Sequence, residues 1–427
     1  MGNVARGRPG QEIEIRAVTA EELPDWDRAI ARGFLRPHLE PGLDWRRLLF
    51  EPGRSLGAFD TSEGGDRCVA TFRSFDSELT VPGGATLPVD AITSVTVTAT
   101  HRRRGLLTAM MDHDLAAARE RGSAAAILIA AEYNIYGRYG FGPATQAQGL
   151  RIDLTRSGGL RAGLPVPDGG RIDFVDMADL RKLGGDLHER WRRTQPGAIS
   201  RYDAWWRLHT GDVTLPGFDW KEPFAALHRD ADGQVTGLIT YTVDDKWAGN
   251  LPDCTLTVLD HFALDQPTAN ALWQLAFSVD WVRTVLVESL GADDPLRLLL
   301  NDPRGAAPAD ETGDFTWLRL LDVPAAFAAR TYAAPGRIVL DVTDPAGYAA
   351  GRWALETAAD GTGRCVPTDD APDLALAAAR LAELYLGTGN ATRLAAAALL
   401  TEVRPGAAAA ADLLLRTPRQ AWNPDGF

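Results

Sequence analysis

The stretch THRRRGLLTAMM, residues 100–111, places three consecutive arginines in front of a glycine and an apolar run. From Leu106 onward, leucine, methionine and alanine recur at helical spacing, so a helix is predicted to begin at this glycine. A helix N-terminus already carries partial positive charge, and basic residues there are unfavourable unless an anion docks at the same place. The stretch therefore predicts an anion-binding turn at the start of a helix.

The segments on either side of this turn predict strands. The β-branched run ITSVTVTAT (92–100) precedes it, and the short apolar run AILIAA (126–131) follows the helix. Backbone N–H groups of a first helical turn point at an incoming anion, and Gly105 lets a phosphate approach closely. The flanking guanidinium groups can add charge-assisted contacts to phosphate oxygens. A solvated basic helix start is the alternative interpretation.

The composition bears on the class of protein. A chain of 427 residues indicates two to four domains. With 44 basic and 57 acidic residues, the net charge of −13 disfavours nucleic acid as a general partner. The three cysteines are far apart and show neither metal-ligand spacing nor a disulfide framework. We therefore expect buried thiols and no metal site.

Targeting signals are not recognisable in the sequence. The segment MGNVARGRPGQ at residues 1–11 has no apolar core of signal length. No run of about 18 apolar residues occurs, so we expect a cytoplasmic protein with no membrane span. Residues 1–12 are predicted to form a mobile tail.

The pattern of strands and helices divides the remaining chain into three segments. Residues 13–155 read as β-α-β-β-β-α-β, and residues 156–312 begin with a Gly/Pro-rich linker. The second segment loosely repeats the strand–helix–strand order of the first, but ALDQPTAN (263–270) stands where the arginines would be. It is interpreted as a duplicate without the anion site. In residues 313–427, the Ala/Leu-rich run 373–403 predicts helix, interrupted at 387–389.

Three features together resemble the GNAT N-acetyltransferases: HRRRGLL (101–107), the turn IYGRYGFGPAT (135–145) and the repeated segment. Over nearly its full length the chain resembles the Eis (enhanced intracellular survival) family of aminoglycoside and amine acetyltransferases. The run ALAAARLAELYLGTG (375–389) is similar to the sterol-carrier-like domain that closes members of that family. The resemblance implies a mixed α/β fold with tandem GNAT domains, a sterol-carrier-like domain and a homo-hexamer.

The resemblance also implies acetyl-CoA as co-substrate. In the family the pantetheine arm pairs with the strand before the arginine turn, and the turn holds the pyrophosphate. The residues carried over as cofactor contacts are Val95, Val97, Arg102, Arg103, Gly105, Leu106 and, near the bend between adenosine and pantetheine, Asn134.

Two catalytic groups follow from the same resemblance. Tyr136 stands where the family places its general acid, and the α-carboxylate of Phe427 where it places its general base. A phenol with a pKa of about 10 suits protonation of a thiolate of pKa about 8.5 only modestly, and a nearby positive charge would help by lowering it. Tyr133 and Tyr139 are nearby alternatives that we expect to pack as ordinary aromatics. His101 is expected to cap the turn or face solvent.

The acceptor pocket is where the sequence departs from the family. Phe34 and Trp45 flank the segment that forms the pocket wall there. Arg36 replaces an acidic residue, and Ser94 replaces an aromatic one just before the pantetheine strand. These changes predict a wider, more positive pocket that binds highly cationic aminoglycosides less well, unless Glu40 or Asp44 compensates.

The predicted function is acetyl transfer to a primary amine of a small molecule, aminoglycoside-like or another polyamine. Both substrates would be bound together, without an acyl-enzyme. Acetylation of protein lysines or of a biosynthetic amine, and transfer of a longer acyl chain, are the alternatives among enzymes. A non-catalytic binding protein on the same scaffold, with a lipid in the third segment, is the alternative outside enzymes.

Overall fold

A computed structural model describes residues 3–5, 13–37, 43–62, 66–214, 220–309 and 312–427. Three large sheets and one two-stranded sheet organise these residues. The elements up to residue 153 are β1 (Asn3–Ala5), β2 (Ile13–Ala17), α1 (Leu23–Gly33), α2 (Leu43–Leu48), β3 (Ser55–Asp60), β4 (Arg67–Thr80), β5 (Thr86–Val97), α3 (Leu106–Glu120), β6 (Ala125–Ile129), α4 (Tyr133–Tyr136), β7 (Gly142–Pro143) and β8 (Gln146–Asp153).

The middle of the chain adds a second set of helices and strands. They are α5 (Leu154–Ser157), β9 (Arg171–Val175), α6 (Met177–Arg192), α7 (Asp203–His209), β10 (Phe224–Arg229), β11 (Val235–Val243), β12 (Trp247–Ala248), β13 (Leu251–Pro252), β14 (Cys254–Ala263), α8 (Gln266–Phe277), β15 (Val282–Gly291), α9 (Leu296–Leu299), β16 (Ala306–Pro308) and β17 (Gly313–Asp314).

The last part of the chain supplies the third set. It comprises β18 (Thr316–Leu320), α10 (Val323–Ala329), β19 (Gly336–Thr343), β20 (Gly351–Thr357), β21 (Gly363–Pro367), β22 (Leu374–Ala377), α11 (Ala378–Tyr385), α12 (Ala391–Ala396), β23 (Leu400–Glu402) and α13 (Ala407–Leu415). Among the residues so described, no helix is both long and apolar enough to cross a bilayer.

The first sheet has the order β1-β2-β3-β4-β5-β6-β18-β7. Neighbours from β1 to β5 are antiparallel, whereas β5 and β6 are parallel. Parallel neighbours need a crossover connection, and α3 provides it. The apolar face of α3 packs on the sheet through Met110, Met111 and Leu115, which are buried in one core with Phe72 and Leu128.

The second sheet repeats this topology. β9, β10, β11 and β14 are successive antiparallel neighbours, and β14 pairs in parallel with β15 across the α8 crossover. In both sheets the register slips at the equivalent ladder, between β4 and β5 and between β11 and β14. The predicted duplication is therefore visible strand by strand.

Both of these sheets take strands from outside their own predicted segments. β8 pairs with β15 of the second sheet, and β18 pairs with β6 of the first. The sheets thus include strands from beyond the predicted boundaries near residues 155 and 312. That these boundaries separate independently folding units stays a prediction. Most of the tail predicted at residues 1–12 lies outside the described residues, but β1 pairs with β2.

The third sheet has the order β21-β20-β19-β22-β23 and packs on α11 and α13. The predicted helix over 373–403 is wrong at both ends, where β22 pairs in parallel with β19 and β23 pairs with β22. The alternating burial of Leu374–Ala377 explains the strand, since a period of two suits a sheet and not a helix. The predicted interruption at 387–389 separates α11 from α12.

Candidate active site

A cleft opens where β5 separates from β6. The ladder between them ends at the Ile92–Leu128 pair, although β5 continues to Val97. The slip between β4 and β5 leaves an extra residue in β5 at Ser94, whose φ is 54°. Such a bulge bends its strand. The Thr71 hydroxyl stabilises it by donating to the Ser94 carbonyl at 2.7 Å. Beyond the bulge, the β5 edge that faced β6 has no partner strand in the described residues.

The arginine turn borders this cleft with a helix start that lacks a side-chain cap. Gly105 is the N-cap of α3 with φ of 79°, and a Cβ at this position would meet nothing within 4 Å. Its left-handed backbone, rather than crowding, is therefore what favours glycine. The N–H groups of the first turn receive no side-chain cap, as expected of a site that an anion completes. Arg102 and Arg103 are exposed on its rim.

The cleft has a volume of about 560 Å³ and gathers most of the predicted contacts. Its lining includes eight of the predicted residues: Phe34, Val95, Val97, Arg102, Arg103, Gly105, Leu106 and Tyr136. Five others do not line it: Arg36, Trp45, Ser94, Asn134 and Phe427. Asn134 is exposed, and its backbone carbonyl accepts a hydrogen bond from Arg138.

Tyr136 lies at the end of α4 with its side chain turned inward. The residue is 8% exposed, and its ring packs edge-on against Phe141 with centroids 6.3 Å apart. Burial raises the pKa of the phenol to about 12, and the charges of Tyr139 and Glu132 act in the same direction. The pKa is thus not lowered by a neighbouring cation, and the phenol keeps its proton at neutral pH.

The two alternative tyrosines have other contacts. The Tyr139 hydroxyl lies 2.9 Å from the Thr108 hydroxyl, and both residues line the cleft. Tyr133 is exposed and packs edge-on against Trp317 at 4.9 Å. Tyr133 therefore packs as an aromatic, as expected, whereas Tyr139 also reaches the cleft with a polar group.

His101 holds the arginine turn in place through two hydrogen bonds of its buried ring. The expectation that it faces solvent is wrong, because it is buried, with Nε2 at 3.0 Å from Asp60 and Nδ1 at 2.8 Å from the Thr100 hydroxyl. Hydrogen bonds from Ser62, and further bonding to His101, hold the pKa of Asp60 well below its usual range. Since both ring nitrogens are engaged, His101 positions the turn and is not free to act as a base.

From Ala421 onward the C-terminal segment is largely buried. Asn423 and Asp425 are buried, and Asn423 donates to the Thr316 hydroxyl at 3.1 Å. Arg201 donates to Asp425 and to Asp260 at 2.7 Å each. Burial alone would raise the pKa of Asp425, but Arg201 and His188 outweigh it and lower the pKa. The final turn is therefore clamped by side chains of the second domain.

This clamp brings Phe427 against the first sheet. Its ring packs edge-on against Phe75 of β4 at 5.8 Å, and Tyr202 packs on the same phenylalanine at 5.5 Å. A frayed end is therefore not what the structure shows. Phe427 lies on the strand pair that carries the cleft without lining the cleft itself.

The predicted acceptor residues are spread over the neighbouring helices. The Arg36 guanidinium lies 5.8 Å from the ring of Phe34, which is exposed at the end of α1. Trp45 is buried against Ala204 and Leu49, so it joins α2 to α7. Ser94 forms the bulge. Glu40 lies outside the described residues.

Asp44 was the other residue expected to offset the positive charge of the pocket. It is exposed and pairs with Arg47 at 3.1 Å, one turn further along α2. That pair sits at the protein surface, and Asp44 does not line the cleft. The structure therefore gives it no role in balancing Arg36.

Known protein families match all three parts of the chain. The acetyltransferase (GNAT) domain matches residues 14–144 and again residues 197–320, and the sterol carrier protein domain matches residues 323–424. These matches confirm the predicted fold class of two GNAT domains followed by a sterol-carrier-like domain.

Relatives and solved structures match over nearly the whole length. An uncharacterised N-acetyltransferase of Streptomyces avermitilis is 49% identical over 97% of this chain and 99% of its own. The N-acetyltransferase Eis of Mycobacterium tuberculosis is 34% identical over 84% of this chain and 85% of its own. The crystal structure of Eis1 from Mycobacterium abscessus superposes with a TM-score of 0.83 at 32% identity, covering 97% of this chain and 100% of that one. With this identity, this coverage and the GNAT cleft in its first domain, the chain is an N-acetyltransferase of the Eis family.

Proposed function

We propose that the protein transfers an acetyl group from acetyl-CoA to a primary amine of a small molecule, with both substrates bound at once. The observation that carries the proposal is the uncapped, arginine-rimmed start of α3 beside the free edge of β5. The start of α3 suits a diphosphate, and the free edge of β5 suits a chain of amides. Their combination along one cleft fits the diphosphate and the pantetheine arm of a coenzyme A thioester.

In this proposal the cofactor runs from the helix start to the bulge. N–H groups of the first turn of α3 hold the diphosphate, and Arg102 and Arg103 add charge-assisted hydrogen bonds. The pantetheine amides pair with the backbone of β5 around Val95 and Val97. The thioester then lies near the point where β5 and β6 part, within the same cleft as Tyr136.

The chemical step is direct attack. The neutral amine forms a bond to the thioester carbon, and the carbon–sulfur bond breaks as the tetrahedral intermediate collapses. Tyr136 gives its proton to the departing thiolate, and the amine proton passes to the α-carboxylate of Phe427 through water. A phenol with a pKa of about 12 is a weak acid for a thiol of pKa about 8.5, so its transfer must accompany bond breaking.

An acyl-enzyme has no support among the thiols. Cys68, Cys254 and Cys365 are all buried, and none lines the cleft. Burial raises the pKa of Cys68 to about 12, which removes the thiolate that a nucleophile needs. A single displacement in a ternary complex is therefore the simpler mechanism.

The acceptor class implied by the family resemblance is an aminoglycoside-like or other polyamine. Release of free thiol from acetyl-CoA, measured against a panel of such amines, lysine-bearing peptides and simple amines, tests the proposal directly. Turnover with any amine supports an enzyme, whereas binding of acetyl-CoA with no turnover on the whole panel would favour a non-catalytic scaffold. Light scattering on the same sample tests the proposed homo-hexamer.

Replacing Tyr136 with Phe isolates the proton donor. We expect kcat to fall by roughly 100-fold, because one general acid is lost, while acetyl-CoA affinity stays within about twofold. Tyr133→Phe is the matched control, since that ring is exposed and lies outside the cleft lining. Unchanged kcat in the Tyr136 variant would move the proton donor to another group, with the Tyr139 hydroxyl next in line.

A further inference from the structure

Arg73 is a buried cation without a polar partner. It lies on β4 and is 6% exposed, with its guanidinium stacked over the Phe75 ring at 4.9 Å. Its guanidinium forms no hydrogen bond and no ion pair with any residue in the described part of the chain. Burial lowers its pKa, although Tyr202 and Glu51 oppose this from nearby. Removing a charge from water without pairing it is costly, so such a group needs an explanation.

The other buried arginines of this protein have ion-pair or hydrogen-bond partners. Arg54 pairs with Asp90 at 2.7 Å, Arg201 with Asp425 at 2.7 Å, and Arg319 with Asp344 at 2.7 Å. Arg192 bonds to Glu78 at 2.5 Å, and Arg330 donates to two backbone carbonyls. Among the buried arginines of the described residues, Arg73 alone lacks an acceptor.

Its position in the sheet places Arg73 between the cleft and the C-terminal residue. Alternate residues of a strand share a face, so Arg73 lies between Thr71 and Phe75. The Thr71 hydroxyl is 2.8 Å from that of Thr96, which lines the cleft. On the other side, Phe75 carries the ring of Phe427. Across the ladder Arg73 pairs with Thr93, next to the bulge.

The proposed reaction places the acceptor amine in this same interval. In the proposed reaction it attacks a thioester near the bulge and gives its proton toward Phe427. A guanidinium between these two points presents a planar fork that matches a carboxylate or a phosphate. Arg73 is only 6% exposed, so its guanidinium loses little further water when such a group binds.

We propose that the acceptor is an amine that also carries an acidic group, carboxylate or phosphate, and that Arg73 binds this group. The inference rests on the proposed acetyl transfer and replaces the polyamine acceptor that the family resemblance implies with an acidic amine. It separates the favoured substrates from polycations such as aminoglycosides. Arg36, whose guanidinium lies 5.8 Å from the ring of the cleft-lining Phe34, adds positive charge near the mouth of the cleft.

Matched amine pairs test the idea. γ-Aminobutyrate is compared with its carboxamide, and phosphoethanolamine with ethanolamine, by thiol release from acetyl-CoA. In the native protein we expect the acidic member of at least one pair to be preferred by about tenfold or more in kcat/KM. Arg73→Gln should abolish that preference and leave acetyl-CoA affinity unchanged, and Arg73→Lys should restore part of it. Arg364→Gln, an exposed arginine of β21, is the control.

The outcomes separate this inference from the reaction itself. If neutral amines are acetylated as well as acidic ones, or if Arg73→Gln slows both members of a pair equally, the acidic-acceptor proposal falls and acetyl transfer stands. The second result would make Arg73 a positioning residue for the C-terminal carboxylate. Calorimetric titration of γ-aminobutyrate and phosphoethanolamine into the CoA-loaded protein decides the case without turnover. Absence of any heat that depends on Arg73 would overturn it.

Discussion

Two helices occupy equivalent places in the two GNAT domains, and their first turns are built in opposite ways. α3 begins at Gly105, follows three arginines and has no side-chain cap. α8 begins after Asp265, whose carboxylate accepts from the Thr268 N–H at 2.7 Å, with a proline in the first turn. In the second domain the helix supplies its own anion, whereas in the first the place is left to a ligand.

The rest of the scaffold is shared, which makes the comparison informative. Both sheets slip register at the same ladder and carry the same parallel crossover. Under the proposed assignment of the coenzyme to the first domain, the bulge and the parted strands alone do not define its binding site. The two domains differ in a few residues at the N-terminus of α3 or α8, which either cap the backbone N–H groups there or leave them uncapped.

The largest expected effect comes from removing the positive rim of the first domain. The double change Arg102→Ala and Arg103→Ala should weaken acetyl-CoA binding by roughly 100-fold or more, because two charge-assisted contacts to phosphate are lost. Calorimetric titration of acetyl-CoA measures this. Arg297→Ala, on the exposed side of α9, serves as the control. Affinity within threefold of the native protein would contradict the diphosphate assignment.

A smaller effect is expected where the second domain serves the first. Asp425→Asn weakens the clamp on Arg201 and loosens the last turn, so kcat should fall by about tenfold with acetyl-CoA affinity unchanged. Because Arg201 keeps Asp260 as a partner, losing the charge of Asp425 should lower the free energy of unfolding by about 2 kcal/mol. Thermal unfolding and steady-state kinetics on one sample give both numbers. A variant that unfolds earlier but keeps full kcat would detach the C-terminal residue from catalysis.

The smallest effect is expected at the start of α8. Asp265→Ala removes one N-cap and should lower the free energy of unfolding by about 1 kcal/mol, measured by denaturant titration. Acetyl-CoA affinity and stoichiometry should not change. A second equivalent of bound coenzyme in this variant would mean that the cap, and not the missing arginines, keeps the second domain from binding it.

The sequence predicted best what is contiguous. The arginine turn, its flanking strands and Tyr136 lie within 45 residues, and their local chemistry is readable without a structure. The turn chemistry of α3 and α8 was likewise visible in HRRRGLL and ALDQPTAN. The helix prediction is wrong at Leu374–Ala377, because these apolar residues of high helix propensity pair with β19 and form a strand.

Contacts between distant parts of the chain could not be predicted. Arg201 and Asp425 are 224 positions apart, and no pattern in the sequence links them. The same holds for His101 with Asp60 and for Phe75 with Phe427. Arg73 was missed for a further reason: a lone arginine in a strand looks like an ordinary solvated residue until its burial is known.

The exchange of β8 and β18 bears on the order in which the chain folds during synthesis. The outer edge of β6 stays open until Leu320 has left the ribosome, whereas β8 is made long before its partner β15. The second domain can therefore close its sheet before the first, although it is translated later. Until then the nascent catalytic domain carries an unprotected strand edge, a hazard for pairing with neighbouring chains on a polysome.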